Sequence, residues 1–144
     1  MFCLSQGSPV ASETDQHFLF IQTYGEPSSA KFSRARERFA ESLAGYSIIS
    51  YLLQIKDRHN GNILLSSDGR IVHIDFGFML GISPGGVGFE AAPFKLTQEY
   101  IDILGGLDSP GFDYFKKLMR QGFKEVRKAA ERIIMIVELM QKGG

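Results

Sequence analysis

The sequence holds a single cysteine, Cys3, so an internal disulfide and a cysteine zinc cluster are both excluded. A reducing compartment fits that count. There is no excess of charge of either sign: 16 lysines and arginines balance 16 aspartates and glutamates. Without a general positive field, no nucleic-acid partner is expected. Long apolar runs are also lacking. The best candidate, Leu43 to Leu53, is interrupted by Gly45, Ser47 and Ser50, and at ~1.5 Å per residue it falls far short of a bilayer. Met1 to Ser12 has neither a basic stretch nor a long apolar one, so no secretory leader is expected. Membrane contact, if it occurs, is then peripheral, from the cytoplasmic side.

What remains is an ordinary globular composition of 144 residues, enough for one core. Residues 1–15 are rich in serine, glycine and polar groups and read as a disordered lead-in. His17 to Tyr24 is apolar enough to pack, and Gly25-Glu26-Pro27 breaks it. Ser28 or Ser29 caps a helix expected to run to about Leu53, amphipathic at first and then apolar nearly all round, as a central buried helix would be. Ile63–Leu65 and Arg70–Ile74 read as two short strands joined at Ser67-Asp68-Gly69. A glycine-rich loop follows, from Gly77 to Pro93. Thr97 caps a short helix that Gly105-Gly106 ends. Ser109-Pro110 opens a helix to about Gln121, with Phe112, Phe115, Leu118 and Met119 on one face. A last helix is expected from Lys124 to Met140, with Val126, Ala130, Ile133, Ile134 and Val137 inward. The chain is therefore read as mainly α with one small β-hairpin.

Two runs carry chemistry: Lys56-Asp57-Arg58-His59-Asn60-Gly61-Asn62, and His73-Ile74-Asp75-Phe76-Gly77. Phosphoryl transfer needs positioned phosphates and metal, and a group that accepts the nucleophile's proton. Asp75, leaving a strand into Phe-Gly, suits a Mg²⁺ ligand. Asn62 offers a neutral oxygen to the same ion, and one carboxylate plus one amide suffices for a metal that keeps few protein ligands. Asp57 and His59 are the candidates for the acceptor hydroxyl, and Arg58 for orienting a carboxylate or holding the loop. Taken singly, each has a plainer reading. Asp-Phe-Gly is often a turn, Asn60-Gly61 a tight turn, His59 a solvated histidine and His73 a core residue of its strand. The two runs occurring together around a hairpin is what favours a site.

Asp-Arg-His-Asn-x-Asn followed by His-Ile-Asp-Phe-Gly resembles the phosphatidylinositol 3- and 4-kinases and their protein-kinase relatives. The stretches GYSIISYLLQIKDRHNGNILL, VHIDFGFML and SPGGVGFEAAPFKLTQEYIDILGG are similar to type III phosphatidylinositol 4-kinases, the beta type in particular. The resemblance implies the C-terminal lobe of a protein-kinase-like fold over residues 16–144. It implies ATP and Mg²⁺ (or Mn²⁺) as cofactors, with Asn62 and Asp75 holding the metal. Asp57 and His59 become the proton-handling pair, with the base left open between them, and His73 assists at the γ-phosphate. Residues from His73 to about Leu96 become the loop that meets the lipid headgroup, with Phe76, Gly77, Ser83, Pro84, Gly85, Gly86 and Lys95 as contacts. The implied reaction makes phosphatidylinositol 4-phosphate from phosphatidylinositol at a membrane, Golgi-type by resemblance.

Two features bear on that expectation. No Lys or Arg lies between Asp75 and Lys95, so the loop suits the least charged inositol lipid, because added phosphates would call for added cations. No glycine-rich phosphate loop and no strand-borne lysine precede residue 17. The expectation is therefore a lobe whose N-terminal partner lobe is absent, with weak or no turnover alone. A catalytically silent binding module and a protein kinase of the related large family are the competing readings.

Overall fold

Ser29 begins the longest element by accepting a hydrogen bond from the Phe32 amide at 3.1 Å. In the computed structural model, which describes residues 2–3, 16–82, 85 and 91–143, this cap opens helix α2, Ala30–Leu53. The preceding apolar segment is also helical, α1, Gln16–Tyr24. It ends where Gly25, at φ 93°, donates to the Ile21 carbonyl. Phe20 of α1 meets Phe32 and Phe39 of α2 edge-on, at 5.3 and 5.6 Å between ring centres. This aromatic knot is the centre of the core.

The hairpin lies against α2 as β2, Ile63–Leu65, and β3, Ile71–His73, antiparallel with Ile63 opposite His73 and Leu65 opposite Ile71. Period-two alternation sends Ile63, Leu65, Ile71 and His73 inward. Two hydroxyls fasten it. Ser42 of α2 accepts from the Ile71 amide at 3.0 Å, and Tyr24 of α1 donates to the Ser66 carbonyl. The turn needs its glycine: Gly69 sits at φ 100°, and a Cβ there would come within 2.6 Å of the Ala35 carbonyl oxygen. A third strand, β1, Phe2–Cys3, pairs with β2 from within the expected lead-in. The sheet is thus three-stranded, not a lone hairpin.

Thr97 caps α3, Gln98–Leu104, and Gly105 ends it in the left-handed region. Ser109, with proline in the first turn, opens α4, Pro110–Lys128. This helix runs well past the expected stop at Gln121. Gly122 does not break it, because that position faces α2, where a Cβ would lie 2.2 Å from the Ile48 side chain. The close approach of the two helices keeps the glycine helical. The chain turns instead at Ala129, and α5 spans Ala130–Lys142.

Two burial expectations change. The second half of α2 is covered on one side, and Ile49, Tyr51 and Leu52 on the other are exposed. Helix α5 has no buried residue. Ile133 and Val137 are half-buried, while Ala130 and Ile134 are exposed. With Val126, Leu52, Leu53 and Leu80 they line an open groove of about 470 Å³. Its walls come from α2, the end of α4 and α5, and no described residue fills it. The inward reading assumed a full cover over this side of the chain.

Candidate functional site

Helix α2 stops abruptly. Gln54 takes the left-handed conformation, and the chain doubles back so that Ile55 donates to the Ser50 carbonyl. From here the first motif runs beside the second. Lys56 donates to the Phe78 carbonyl at 2.9 Å, Leu80 to Leu53 at 2.8 Å, and Ile74 to Asn62 at 2.9 Å. The hairpin brings residues distant in sequence together, and these three bonds hold the two segments side by side, running in opposite directions.

Both aspartates stand in the left-handed region, Asp57 at φ 62° and Asp75 at φ 58°. Aspartate tolerates that region better than most residues, but the cost persists only where surroundings enforce it. The enforcing group is Arg58. Its side chain is buried, and its Nε donates to the Lys56 carbonyl at 2.9 Å. One terminal nitrogen donates to the Ile74 carbonyl at 2.8 Å and the other to the Asp75 carbonyl. The Phe76 ring covers the guanidinium at 5.4 Å. One planar fork therefore fixes the backbone on both sides of the site. Of the two sequence readings for Arg58, the loop-holding one matches these contacts.

Asn62 ends one turn of 3-10 helix, Asn60–Asn62, and is buried. Its Nδ2 donates to the Asp57 carbonyl at 2.9 Å. That bond orients the amide and leaves Oδ1 as the atom available to a cation. The Asp75 carboxylate is exposed, and its Oδ1 accepts from the Gly77 amide at 3.3 Å. Among the described residues no group of three or more His, Cys, Asp or Glu could hold a metal. A set of one carboxylate, Asp75, and one amide oxygen, Asn62 Oδ1, would fit Mg²⁺ completed by phosphate oxygens and water, and Mn²⁺ by the same chemistry.

His59 resolves into a defined tautomer. Its Nδ1 accepts from the Gly61 amide at 3.0 Å, so the neutral ring carries its proton on Nε2. Nε2 lies 3.9 Å from Asp57 Oδ2. His59's lone pair is occupied, and the carboxylate of Asp57 keeps its own.

His73 is buried and stacked flat on Tyr46, 4.2 Å between ring centres and 4° between planes. Its Nδ1 has no hydrogen-bond partner among the described residues. Burial, then the positive charges of Arg58 and Lys95, pull its pKa from 6.5 down to about 4. The sign follows. Above pH 6.5 both native and unfolded rings are neutral and the contribution to stability is complete. Between pH 6.5 and 4 the unfolded ring takes up a proton that the native ring refuses, so stability falls. In metal-free buffer, unfolding by urea should show about 2–3 kcal/mol of stability lost through this group between pH 7.5 and 4.5. His73→Phe should lose that much less over the same interval, and equal losses in both proteins would exclude the assignment.

The far end of the loop returns to the site through Lys95, whose Nζ donates to Asn60 Oδ1 at 2.5 Å. A cavity of about 290 Å³ lies there, lined by Ile55, Arg58, Ala91, Ala92, Phe94 and Lys95. It is at the small end of ligand-pocket sizes. Phe76 and Gly77 are exposed beside Asp75. Gly85 is exposed at φ 70°, whereas Ser83, Pro84 and Gly86 lie outside the described residues. Sequence reasoning missed Tyr46 and Asn60 as members of the site. A stacking partner on a distant helix leaves no local signal, and Asn60 was read only as half of a turn.

The comparisons with known proteins agree with this geometry. The sequence model of the family "Phosphatidylinositol 3- and 4-kinase" matches residues 11–144. The chain is 56% identical over 124 residues to a phosphatidylinositol 4-kinase of Dictyostelium discoideum, covering 86% of this chain and 10% of that protein. It is 60% identical over 123 residues to phosphatidylinositol 4-kinase PIK1alpha of Candida albicans, covering 85% and 13%. To phosphatidylinositol 4-kinase beta of Danio rerio it is 54% identical over 124 residues, covering 86% and 15%. It spans between 10% and 15% of the length of these relatives. No helix among the described residues is long and apolar enough to cross a membrane. With the catalytic-type loop, the Asp-Phe-Gly turn and the hairpin between them all inside the matched segment, the chain belongs to the phosphatidylinositol 3- and 4-kinase family.

Proposed function

We propose that residues 16–144 are the C-terminal lobe of a phosphatidylinositol 4-kinase catalytic domain, which transfers the γ-phosphate of ATP to phosphatidylinositol. The observation that carries the proposal is the pairing of Asp57 and Asp75, both left-handed and tied to one another through Arg58 and Asn62. One carboxylate faces a proton-bearing imidazole and the other sits exposed beside a turn.

The roles follow from those bonds. Asp57 accepts the proton of the inositol hydroxyl, because His59 has its free nitrogen engaged by Gly61. His59 places its Nε2 3.9 Å from Asp57 Oδ2, beside the carboxylate and not hydrogen-bonded to it. Asn62 Oδ1 and the Asp75 carboxylate would hold Mg²⁺, which would supply charge neutralisation to the transferred phosphoryl group. His73, buried on its strand and stacked on Tyr46, would assist at the γ-phosphate. Lys95 and Asn60 fix the return of the loop, whose described residues Phe76, Gly77 and Gly85 would meet the headgroup. Residues 76–94 contain no Lys or Arg, which supports an inositol ring without extra phosphates. The lipid is reached from a membrane surface by peripheral contact.

The chain spans between 10% and 15% of the length of its relatives, so transfer is measured in a longer protein as well. The test therefore uses two proteins: the chain alone, and a chimera carrying residues 16–142 in place of the matching segment of the Saccharomyces cerevisiae phosphatidylinositol 4-kinase PIK1, to which it is 55% identical. Radiolabel transfer from ATP should appear with the chimera on phosphatidylinositol. It should be at least about tenfold weaker on phosphatidylinositol 4-phosphate and on peptide. Transfer to peptide at equal rate would favour the protein-kinase reading, and a folded chimera with no transfer to any acceptor would overturn the proposal.

A further inference from the structure

Helix α4 carries a feature that phosphoryl transfer does not use. Lys116, Lys117, Arg120, Lys124, Arg127 and Lys128 all lie on it. At 3.6 residues per turn they occupy one arc of about 120°. The opposite arc, with Phe115, Leu118, Met119 and Gly122, packs on the core and on α2. Five of the six cations are exposed, and Lys116 is half-buried.

Ordinary explanations cover only part of this row. Lys116 pairs with Asp113 at 2.8 Å and Lys128 with Glu125 at 2.7 Å. Arg127 and Lys128 stand in the last turn, where cations suit the helix dipole. Among the described residues neither an ion pair nor a last-turn position accounts for Lys117, Arg120 and Lys124. Worse, Lys116, Arg120, Lys124 and Lys128 form an unbroken i, i+4 ladder of like charge, a pattern that destabilises a helix. A chain with no net charge has placed six cations against two carboxylates on a single helix. Solubility alone would be served by mixing the signs.

We infer that this face of α4 is an electrostatic docking surface for a bilayer containing anionic lipids. Four to eight clustered cations on a helix are the number that binds such a surface. Because its apolar arc is already packed on the core, α4 would not insert. It would lie against headgroups and hold by charge alone, with a strong dependence on salt. A bilayer fits better than an acidic protein because the row contains no apolar anchor around which a specific protein interface would be built. The contact is separate from the Asp57–Asp75 site, so it does not depend on the reaction proposed above.

The test is sedimentation of the 144-residue chain with vesicles, without ATP. Binding should be present with phosphatidylcholine vesicles containing about a third phosphatidylserine, near absent with phosphatidylcholine alone, and reduced about tenfold or more by raising salt from 0.1 to 0.5 M. Arg120→Glu with Lys124→Glu should reduce binding about tenfold or more. The matched reversal on α2, Lys31→Glu with Arg34→Glu, should change it little, and circular dichroism should confirm that both variants fold. Equal binding to zwitterionic vesicles, or equal loss in both variants, would overturn the inference. So would binding to poly-glutamate that is as tight per carboxylate as vesicle binding is per anionic lipid, which would assign the face to an acidic protein.

Discussion

Asp75→Asn in the PIK1 chimera should reduce lipid phosphorylation by about 10³-fold while leaving thermal stability nearly unchanged. Asparagine is the informative replacement. Position 75 has φ 58°, a conformation that asparagine accepts about as well as aspartate and that alanine resists. The substitution therefore removes one negative charge without disturbing the turn. The side chain is exposed, and its bond from the Gly77 amide can be kept by the amide oxygen. A loss of activity then reports on the missing metal ligand and not on folding. Raising Mg²⁺ or substituting Mn²⁺ should recover part of the rate, since a weakened site is refilled by mass action. Asp57→Asn should behave differently. It should lower kcat by about 10²–10⁴-fold with an unchanged Mg²⁺ requirement, because it removes the proton acceptor and leaves Asn62 and Asp75 in place. If Asp57→Asn retained activity while His59→Gln lost it, the tautomer argument would be wrong and His59 would be the base. If Asp75→Asn phosphorylated lipid at the native rate, the metal assignment would fail.

Much of this arrangement was legible before any coordinates. Ser29, Thr97 and Ser109 each accept from the third amide of the helix they open. Such signals are local: one side chain and one turn decide them. The hairpin was legible for the same reason, since Gly69 supplies the positive φ its turn requires. The two motifs stand out in the sequence because each is spelled in consecutive positions. What escaped depended on distant partners. Gly122 looked like a helix end until α2 came close enough to exclude any side chain there. The apolar runs of α5 and of the second half of α2 looked buried, because periodicity tells which residues prefer cover and not whether cover exists. Ile134 and Leu139 remain more than half exposed. The stacking of Tyr46 on His73 joins a helix to a strand, and no sequence pattern links the two.

Arg58 shows the same division within one residue, and it gives the second large expected effect. Its position in the motif left open whether it orients a carboxylate or holds the loop, and all three of its nitrogens bond backbone carbonyls. Arg58→Met keeps the stem and removes the fork. It should cost about 2–4 kcal/mol in urea unfolding, since buried acceptors lose charge-assisted partners and water replaces them incompletely. Activity in the chimera should fall as well, by about 10–100-fold. The carboxylate of Asp75 is untouched in this variant, so the loss must come through its backbone, no longer held at φ 58°. Arg58→Lys separates the two effects. A single ammonium replaces one of the three bonds and keeps the charge beneath Phe76, so stability should return in part. Transfer should not, because a point charge cannot hold the Lys56, Ile74 and Asp75 carbonyls in one plane. The diagnostic is therefore the split between unfolding midpoint and kcat across Asp75→Asn, Arg58→Met and Arg58→Lys. Asp75→Asn should move only kcat, Arg58→Met both, and Arg58→Lys mainly kcat. Full activity in Arg58→Lys would mean that the fork is dispensable and that a positive charge alone maintains the site.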